Sequence, residues 1–290
     1  MNLQQWHDTG NYFDFNGHQI FYRIEGSGPP LLLIHGYPTA SWDWIKIWSQ
    51  LTEKFQCITL DMLGFGYSAK PKQAYSIFTQ ADICCKLLEQ QGVKACHIIS
   101  HDYGDTVAQE ILARHNENSL AFKVCSLNLL NGGLFPETHR PVLMQKLLLS
   151  SLGGLLVRLI NKKTLAKNLH KIFGPSTPPS EQEIDEFWHL INHNDGHLVM
   201  HRLIHYMVER RENRSRWVGS LQCSNVPLRL TNGMLDPISG AHVVERYKQL
   251  IPNADVICLQ DVGHYPQVEA PQLVLDSVLT KIEQSSPAKC

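Results

Sequence analysis

Short apolar runs alternate along the chain with segments of helical spacing. Residues 12–15 and 19–24 alternate between apolar and polar positions around Asn16-Gly17, a pattern typical of an antiparallel hairpin. The later apolar runs are continuous, as expected for strands that are buried on both faces of a parallel sheet. These runs cover residues 30–34, 55–60, 95–99, 123–130, 226–230 and 254–259.

Segments with helical spacing separate these runs and complete the alternation. They cover residues 42–51, 77–91, 106–114 and 241–250, and a last helix follows Pro271. Alternation of strands and helices after an initial hairpin is typical of folds with helices on both faces of the sheet. The pattern therefore predicts an α/β fold with a doubly wound, mostly parallel sheet of eight strands.

Residues 134–221 break this rhythm, because they contain amphipathic helical segments and no clear strand pattern. Ser180 followed by Glu183 has the spacing of a capping box at the start of one of these helices. We expect a helical cap inserted after the sixth strand, above the carboxyl ends of the strands, where ligands bind in such sheets. The predicted division is residues 1–132 and 222–290 for the core and residues 133–221 for the cap.

A tight turn at Ser100-His101-Asp102-Tyr103-Gly104 joins a predicted strand to a predicted helix. This arrangement is typical of a nucleophile elbow, in which the central side chain projects above the sheet and the residues two before and two after must be small. Ser100 and Gly104 meet that demand. The central residue is Asp102, and a carboxylate at this position favours attack on a saturated carbon over ordinary acyl transfer.

His264 and Asp236 are the candidate partners of Asp102 in a catalytic triad. Each follows a predicted strand, and the chain order of nucleophile, acid and histidine is one that triads built on this type of elbow use. His264 would act as the base and Asp236 would orient it. Each residue alone has a simpler explanation: Asp102 as a helix N-cap, Asp236 as a turn residue and His264 as a loop residue. Their joint arrangement favours the triad.

Backbone amides near the elbow are candidates for an oxyanion hole. Tyr37, in the His-Gly-Tyr-Pro motif of residues 35–38, and Tyr103, which follows the candidate nucleophile, would supply the two N–H groups. The peptide bond before Pro38 can be cis or trans in such a turn. Asp105, at the third helical position after the elbow, would complement exposed amides and the helix dipole.

The composition limits the kinds of molecule that the protein is expected to bind. The chain has 290 residues, 43% of them hydrophobic, and a formal charge of −1, so it can bury a large core. The near-neutral charge predicts neither nucleic-acid binding nor attraction to an anionic membrane, and it favours a small apolar or weakly polar substrate. No cofactor is expected, and the oligomeric state is open, with a homodimer compatible with the sequence.

Cysteine and histidine spacing predicts neither a disulfide framework nor a metal site. The eight cysteines mostly fall within apolar runs and no Cys-x-x-Cys pair occurs, which indicates buried thiols in a reducing compartment and hence a cytoplasmic protein. Five histidines of the cap lack a carboxylate or cysteine that would complete a ligand set. The N-terminal residues lack the pattern of a signal peptide, and residues 147–157 are too short to span a bilayer. The five histidines are His189, His193, His197, His201 and His205.

Together these motifs resemble the epoxide hydrolase and haloalkane dehalogenase branch of the α/β-hydrolase superfamily, over nearly the whole chain. The resemblance rests on residues 35–38, residues 61–68, the elbow at residues 101–104, and Gly263-His264. A further motif at residues 131–141, at the start of the cap, indicates a narrower group within that superfamily. We expect a soluble hydrolase that needs no cofactor. The resemblance implies that vertebrate members of the narrower group have a membrane-spanning N-terminus, and this sequence shows no such segment.

The resemblance also implies a two-step reaction and assigns residues to it. Asp102 opens the substrate to form an alkyl ester, and water activated by His264, which Asp236 orients, hydrolyses that ester. Epoxide hydrolases use two cap tyrosines to stabilise the leaving oxygen, and Tyr206 is the single tyrosine of residues 134–221. Further candidates for contact with the substrate are His35 and Trp188.

Three functions stay open at this point. Epoxide hydrolysis with Tyr206 as proton donor is the best supported, although a tyrosine packed under the cap fits the pattern nearly as well. Hydrolysis of a carbon–halogen bond is the second. Haloalkane dehalogenases have a tryptophan next to the nucleophile, where this chain has Tyr103. Fluoroacetate dehalogenases have an arginine soon after the nucleophile, where this chain has Asp105-Thr106. A non-catalytic binding module that docks through residues 147–157 is the third, and the presence of both acid and base argues against it.

Overall fold

Eight strands form one sheet in the computed structural model, which describes residues 1–285. The strands are β1 (Asn11–Phe15), β2 (His18–Glu25), β3 (Pro30–Ile34), β4 (Gln56–Leu60), β5 (Ala95–His101), β6 (Lys123–Leu130), β7 (Leu228–Gly233) and β8 (Val256–Leu259). Their order in the sheet is β1-β2-β4-β3-β5-β6-β7-β8. Strand β2 pairs antiparallel with β1 and β4, and the other neighbours are parallel. The predicted fold class is confirmed.

Fourteen α-helices are present among the described residues, and they pack on the sheet or form the insert between β6 and β7. The helices of the core are α1 (Leu3–Asp8), α2 (Ile45–Thr52), α3 (Ile77–Gln90), α4 (Tyr103–Asn116), α12 (Ala241–Leu250), α13 (Pro266–Glu269) and α14 (Pro271–Gln284). Those of the insert are α5 (Leu143–Leu149), α6 (Gly153–Leu156), α7 (Lys162–Ile172), α8 (Glu181–Asn192), α9 (Met200–Leu203), α10 (Tyr206–Glu212) and α11 (Arg214–Gln222). We call this insert the cap, with the proposed bounds 133–221.

Strands with continuous apolar sequence are buried on both faces. In β3, every residue from Leu31 to Ile34 is inaccessible to solvent. Strand β7 begins and ends later than the apolar run at 226–230 indicated, because the polar residues Thr231 and Asn232 continue the pairing with β8. Both side chains are fully buried, and each forms a hydrogen bond inside the protein. A strand that is covered on both faces can therefore contain polar residues when they have such partners.

The N-terminal helix α1 was not among the predicted elements, because it is only six residues long. Asn2 and Gln5 form a capping box at its start. Its one buried residue, Trp6, packs edge-on against Trp42 and Trp48. A helix this short is stabilised by aromatic packing and not by intrinsic helix propensity. The sequence of six residues does not show that packing, so the helix could not be predicted from it.

Hydrogen bonds and buried contacts fix the cap to the core at several points. Glu209 of α10 accepts hydrogen bonds from the Ser76 hydroxyl (2.7 Å) and from the Ile77 backbone N–H (3.0 Å), at the start of α3. On α11, the Trp217 indole donates to Glu110 of α4 at 2.9 Å. Helix α8 begins at the capping box that Ser180 and Glu183 predicted. The cap is therefore seated firmly over the carboxyl ends of the strands.

The described residues contain no helix that is long and apolar enough to cross a membrane. Nor does this part of the chain bring three or more histidine, cysteine or acidic side chains together at a spacing that could hold a metal ion. Cys57, Cys84, Cys85 and Cys96 are buried free thiols, in agreement with their apolar surroundings in the sequence. Cys290 lies outside the described residues.

Candidate active site

Asp102 sits at the elbow in a strained backbone conformation, with φ 47° and ψ −104°. Its side chain makes no capping hydrogen bond to α4, so the N-cap explanation does not describe it. The turn is possible only because its neighbours lack side chains: a Cβ on Gly104 would lie 2.5 Å from the Ile34 carbonyl oxygen, and one on Gly36 would lie 2.6 Å from the His101 ring. The elbow thus holds a buried carboxylate above the sheet.

Two backbone amides face the Asp102 carboxylate. The Tyr37 N–H donates to Asp102 Oδ2 at 3.1 Å, and the Tyr103 N–H also favours the charged form of this carboxylate. The peptide bond between Tyr37 and Pro38 is cis. Both amides predicted for an oxyanion hole therefore lie against Asp102, where they can stabilise negative charge on an oxygen bound to its carboxyl carbon.

The structure brings His264 and Asp236 together beside this carboxylate. Nδ1 of His264 lies 2.7 Å from Asp236 Oδ2, and its Nε2 lies 4.0 Å from Asp102 Oδ1. All three side chains are buried. The two acids thus flank opposite nitrogens of one imidazole, which is the arrangement of a nucleophile, a base and the residue that orients the base.

Asp236 is held by a dense set of donors that sequence reasoning missed. Asn131 Nδ2 donates to Asp236 Oδ2 at 3.0 Å, the Ser239 hydroxyl lies 2.8 Å from the same oxygen, and the Ile238 N–H donates to Oδ1 at 2.7 Å. Asn131 also accepts from the Gly233 N–H at 2.7 Å, which joins β6 to the end of β7. Asn131 is the first residue of the motif at residues 131–141, so that motif already contained one of the residues that contact Asp236.

The pKa values in this cluster are strongly shifted. Burial alone would raise the pKa of Asp236, but the charge of His264 and the hydrogen bonds from His264 and Asn131 lower it to about 2. Burial alone would lower the pKa of His264, but the charges of Asp236 and Asp102 raise it to about 9. At neutral pH the resting site therefore contains a protonated His264 beside a charged Asp236.

Burial raises the pKa of Asp102 above its ordinary value. The positive charges of His264 and Arg210 and the two backbone N–H groups oppose this shift. Without these groups the carboxylate would be protonated more readily, because no solvent reaches it. The surroundings of Asp102 thus keep a buried carboxylate available in its charged form.

The loop that carries His264 is fixed from below and from the cap. Burial and the neighbouring charge of His264 lower the pKa of His101 to about 3, so His101 is neutral and its Nε2 donates to the His264 carbonyl oxygen at 2.8 Å. The His264 N–H donates to the Ile172 carbonyl oxygen of the cap at 2.8 Å. Movement of helix α7 would therefore displace the imidazole directly.

Tyr206 of the cap lies over the elbow. Its ring centre is 4.9 Å from that of Tyr103 and 6.2 Å from that of Tyr37. The side chain is buried, and among the described residues the group that faces its hydroxyl is the Arg210 guanidinium, which can donate to the oxygen and leaves the hydroxyl proton without an acceptor. Burial and the charge of Asp102 raise the pKa of Tyr206, so its proton is retained at neutral pH. Tyr206 therefore packs under the cap and also keeps a hydroxyl proton that it can donate.

The Tyr37 side chain is a second feature that sequence reasoning missed, because only its backbone was assigned a role. Its hydroxyl is also buried and lacks a partner within the described part of the chain. Burial, and the proximity of Tyr206 and Asp102, raise the pKa of Tyr37 well above its usual range. Two protonated phenols, one from the core and one from the cap, thus lie near the candidate nucleophile.

Arg210 is the third such feature and lies one helical turn after Tyr206. Its buried guanidinium donates from Nε and Nη2 to Thr106 Oγ1 at 3.1 and 2.8 Å. The Cζ atom lies 4.7 Å from the centre of the Tyr206 ring, within range of a cation–π interaction. Arg210 thus joins α10 of the cap to α4 of the elbow and holds the Tyr206 ring between them.

Three residues have surroundings that differ from their sequence assignments. His35 is fully buried and uses both ring nitrogens on backbone groups: Nδ1 lies 2.8 Å from the Gly36 carbonyl oxygen, and Nε2 accepts from the Met62 N–H at 3.0 Å. Neither nitrogen is left for a substrate. Trp188 packs its half-buried ring near His197, away from the elbow.

Asp105 is the third of these residues. It was expected to complement exposed amides of α4, but its Oδ1 accepts from the Ser100 hydroxyl at 2.5 Å and faces the Leu130 N–H at 3.4 Å. Burial raises the pKa of Asp105 well above its usual range. It therefore braces the elbow against β6 and does not serve the helix dipole.

A cavity of about 90 Å³ reaches the site from under the cap. Tyr37, Pro38, Ile238 and His264 of the core line it, and cap residues form the rest of its wall. Eight of the twelve cap residues that line it are apolar and four are polar or charged, which suits a small apolar or weakly polar molecule. Those nearest in sequence to the start of the cap are Val142, Met144, Gln145 and Leu148.

This fold, with an elbow, an acid and a histidine at the carboxyl ends of its strands, defines an α/β-hydrolase. The model of the alpha/beta hydrolase fold family matches residues 29–271, and the chain belongs to that family. It is 43% identical to the mouse mesoderm-specific transcript protein over 290 residues, which covers 96% of this chain and 87% of that protein. It is 34% identical to the putative hydrolase LipZ of Mycobacterium tuberculosis, covering 96% of this chain and 97% of LipZ.

Solved structures show the same fold at lower identity. A haloalkane dehalogenase DbeA loop variant from Bradyrhizobium elkanii superposes with a TM-score of 0.80 at 20% identity, covering 96% of this chain and 97% of that one. The epoxide hydrolase CorEH superposes with a TM-score of 0.78 at 22% identity, covering 96% and 99%. The narrower group that residues 131–141 indicated is that of the mesoderm-specific transcript protein.

Proposed function

We propose that this protein is a hydrolase that uses Asp102 as nucleophile, forms a covalent alkyl ester and opens an epoxide to a diol. The observation that carries the proposal is the pairing of a buried, strained carboxylate at the elbow with His264 Nε2 at 4.0 Å. Solved relatives of this fold include an epoxide hydrolase and haloalkane dehalogenases, which supports attack on a saturated carbon.

In the first step, an Asp102 oxygen attacks a ring carbon of the epoxide. Oδ2 is held by the Tyr37 N–H, so Oδ1, which faces His264, is the oxygen with freedom to react. The new bond joins Oδ1 to carbon while the carbon–oxygen bond of the ring breaks, and its electron pair goes to the ring oxygen. That oxygen takes a proton and becomes the first hydroxyl of the diol.

In the second step, water attacks the carboxyl carbon of the ester and gives a proton to His264. The bond between that carbon and the alkyl oxygen then breaks, and the alkyl oxygen takes the proton from His264 to become the second hydroxyl of the diol. His264 must accept a proton from this water, although its resting pKa is about 9. Formation of the ester removes the charge of Asp102, which is one cause of that high value, so the pKa of His264 falls at the stage that needs a base. The Tyr37 N–H already faces the oxygen that becomes the oxyanion, and Asp236 stabilises the imidazolium.

Two phenols supply the proton donors for ring opening in this proposal. Epoxide hydrolases use two cap tyrosines, and here Tyr206 comes from the cap and Tyr37 from the core. Each hydroxyl is buried; within residues 1–285 that of Tyr37 has no hydrogen-bond partner, and that of Tyr206 faces only the donor Arg210, so neither hydroxyl proton has an acceptor. Because a buried donor without a partner is unfavourable, a ligand oxygen between them would satisfy both. Arg210 holds Tyr206 in place through its contact with the ring face.

Replacement of Tyr206 by phenylalanine is expected to slow turnover of styrene oxide by about 100-fold, because the ring oxygen loses a proton donor. Tyr37→Phe should have an effect in the same direction, and the double variant should be slower than either. Steady-state rates with styrene oxide measure this. Bromohexane serves as a second substrate, because bromide leaves without a proton.

A matched control is Tyr247→Phe. Tyr247 on α12 is also a buried tyrosine whose hydroxyl has no partner in the described chain, but it packs near Phe135 and not at the elbow. We expect this variant to retain its rate with styrene oxide. If bromohexane is the better substrate and Tyr206→Phe does not affect it, the enzyme is a carbon–halogen hydrolase and epoxide opening is wrong.

A further inference from the structure

Five leucines on the outer surface of the cap are exposed. They lie within residues 143–159, on α5, on α6 and on the turns that follow each helix, and their exposed fractions range from 38% to 71%. A monomeric protein seldom leaves so many large apolar side chains in one continuous segment uncovered. The five are Leu143, Leu147, Leu152, Leu155 and Leu159.

The same part of the chain carries only positive charge. Between Glu137 and Glu181 there is no aspartate or glutamate, although the chain as a whole is nearly neutral. Lys146 lies between two of the exposed leucines on α5, and Arg158 lies next to Leu159; within the described residues neither forms an ion pair. The basic residues of this segment are Arg140, Lys146, Arg158, Lys162, Lys163, Lys167 and Lys171, of which Lys162 forms an ion pair with Asp185 of α8.

We propose that residues 143–163 form a docking surface for an anionic phospholipid bilayer. Exposed leucines can enter the boundary between headgroups and acyl chains, while lysine and arginine beside them attract acidic headgroups. A second copy of the chain fits this surface poorly, since a twofold interface would bring two patches of the same positive charge together. The near-neutral composition predicted no attraction to an anionic membrane, and the present proposal departs from that expectation because the charge is unevenly distributed.

The docking surface is the outer side of the wall that encloses the cavity. On α5, Gln145 and Leu148 point inward and line the cavity, whereas Leu143 and Leu147 are exposed on the opposite face. The wall is therefore one helix thick. If the proposed function holds, an apolar epoxide dissolved in the bilayer reaches Asp102 by passing this wall.

Sedimentation with sucrose-loaded vesicles tests the docking surface independently of catalysis. The full chain, as wild type and as Asp102→Asn, is mixed with vesicles of phosphatidylcholine alone or with added phosphatidylserine. Both proteins should bind the anionic vesicles and bind the neutral ones much more weakly. Loss of the attraction from two basic residues alone weakens partitioning by about 30-fold, and the two new carboxylates add repulsion, so the Lys146→Glu/Arg158→Glu variant should lose more than about 30-fold in partitioning. Leu155→Ser/Leu159→Ser should also lose binding.

The matched control is Leu273→Ser/Lys86→Glu, which removes one exposed leucine and reverses one exposed lysine on α14 and α3, away from the cap. It should bind as well as the wild type. No sedimentation with either vesicle, equal loss in the control, or binding unaffected by the cap variants would overturn the proposal. So would a wild-type dimer in solution that Leu155→Ser/Leu159→Ser dissociates, because the face would then be a protein interface. If Asp102→Asn binds the anionic vesicles but does not turn over styrene oxide, the docking surface is supported whether or not the proposed reaction is correct.

Discussion

Replacement of Asp102 by asparagine is expected to reduce turnover of styrene oxide by on the order of 10⁴-fold or more, because the amide cannot form the alkyl ester. The fold should survive, since burial disfavours the charged carboxylate and raises its pKa. The melting temperature of the variant should therefore equal or exceed that of the wild type. Initial rates and thermal unfolding measure the two effects.

Asp105→Asn is the matched control for this prediction. Asp105 is also a buried carboxylate, three residues further along the same helix, and its pKa is likewise raised by burial. Its contacts are the Ser100 hydroxyl and the Leu130 N–H, neither of which reacts in the proposed mechanism. This variant should stay within about tenfold of the wild-type rate. Equal losses in the two variants would assign the effect of Asp102→Asn to damage of the elbow.

Replacement of His264 by glutamine is expected to stop the reaction halfway. Asp102 can still attack the epoxide, but no base remains to activate water, so the ester should accumulate in a stoichiometric amount. Steady-state turnover should fall by on the order of 10⁴-fold. Mass spectrometry of the intact protein should show the added mass of one styrene oxide molecule.

His97→Gln is the control for that variant. His97 is a largely buried histidine on β5 whose ring contacts the Ser126 hydroxyl at 2.8 Å, remote from the elbow. It should turn over normally and show no adduct. An inactive His264→Gln variant without any adduct would mean that His264 is needed before the ester forms, which contradicts the proposed division of the two steps.

The sheet could be predicted from the sequence because each parallel strand carries its own signal. A strand such as β3 is apolar throughout, since both of its faces are covered, and its burial does not depend on distant parts of the chain. The elbow could be predicted for a similar reason. Its steric demand is local, and Gly104 meets it within five residues of sequence.

The surroundings of Asp102 could be predicted only in part. Tyr37, Tyr206 and Arg210 meet because α10 of the cap packs on α4, and nothing in the spacing of residues 134–221 fixes that packing. His35 shows the opposite error: it stands beside the oxyanion amide in sequence, yet its ring turns to Met62 in the loop after β4. Side-chain direction after a strand depends on the neighbouring loop, which periodicity does not describe.

One measurement tests the role of Asp102 most directly. A single turnover of styrene oxide is run with excess enzyme in heavy-oxygen water, and the peptide that contains residues 100–104 is analysed by mass spectrometry. Our account predicts that heavy oxygen enters the Asp102 carboxylate and that the diol of this first turnover carries ordinary oxygen, because water attacks the ester at its carboxyl carbon. Heavy oxygen in the diol, with none in the Asp102 peptide, would contradict it.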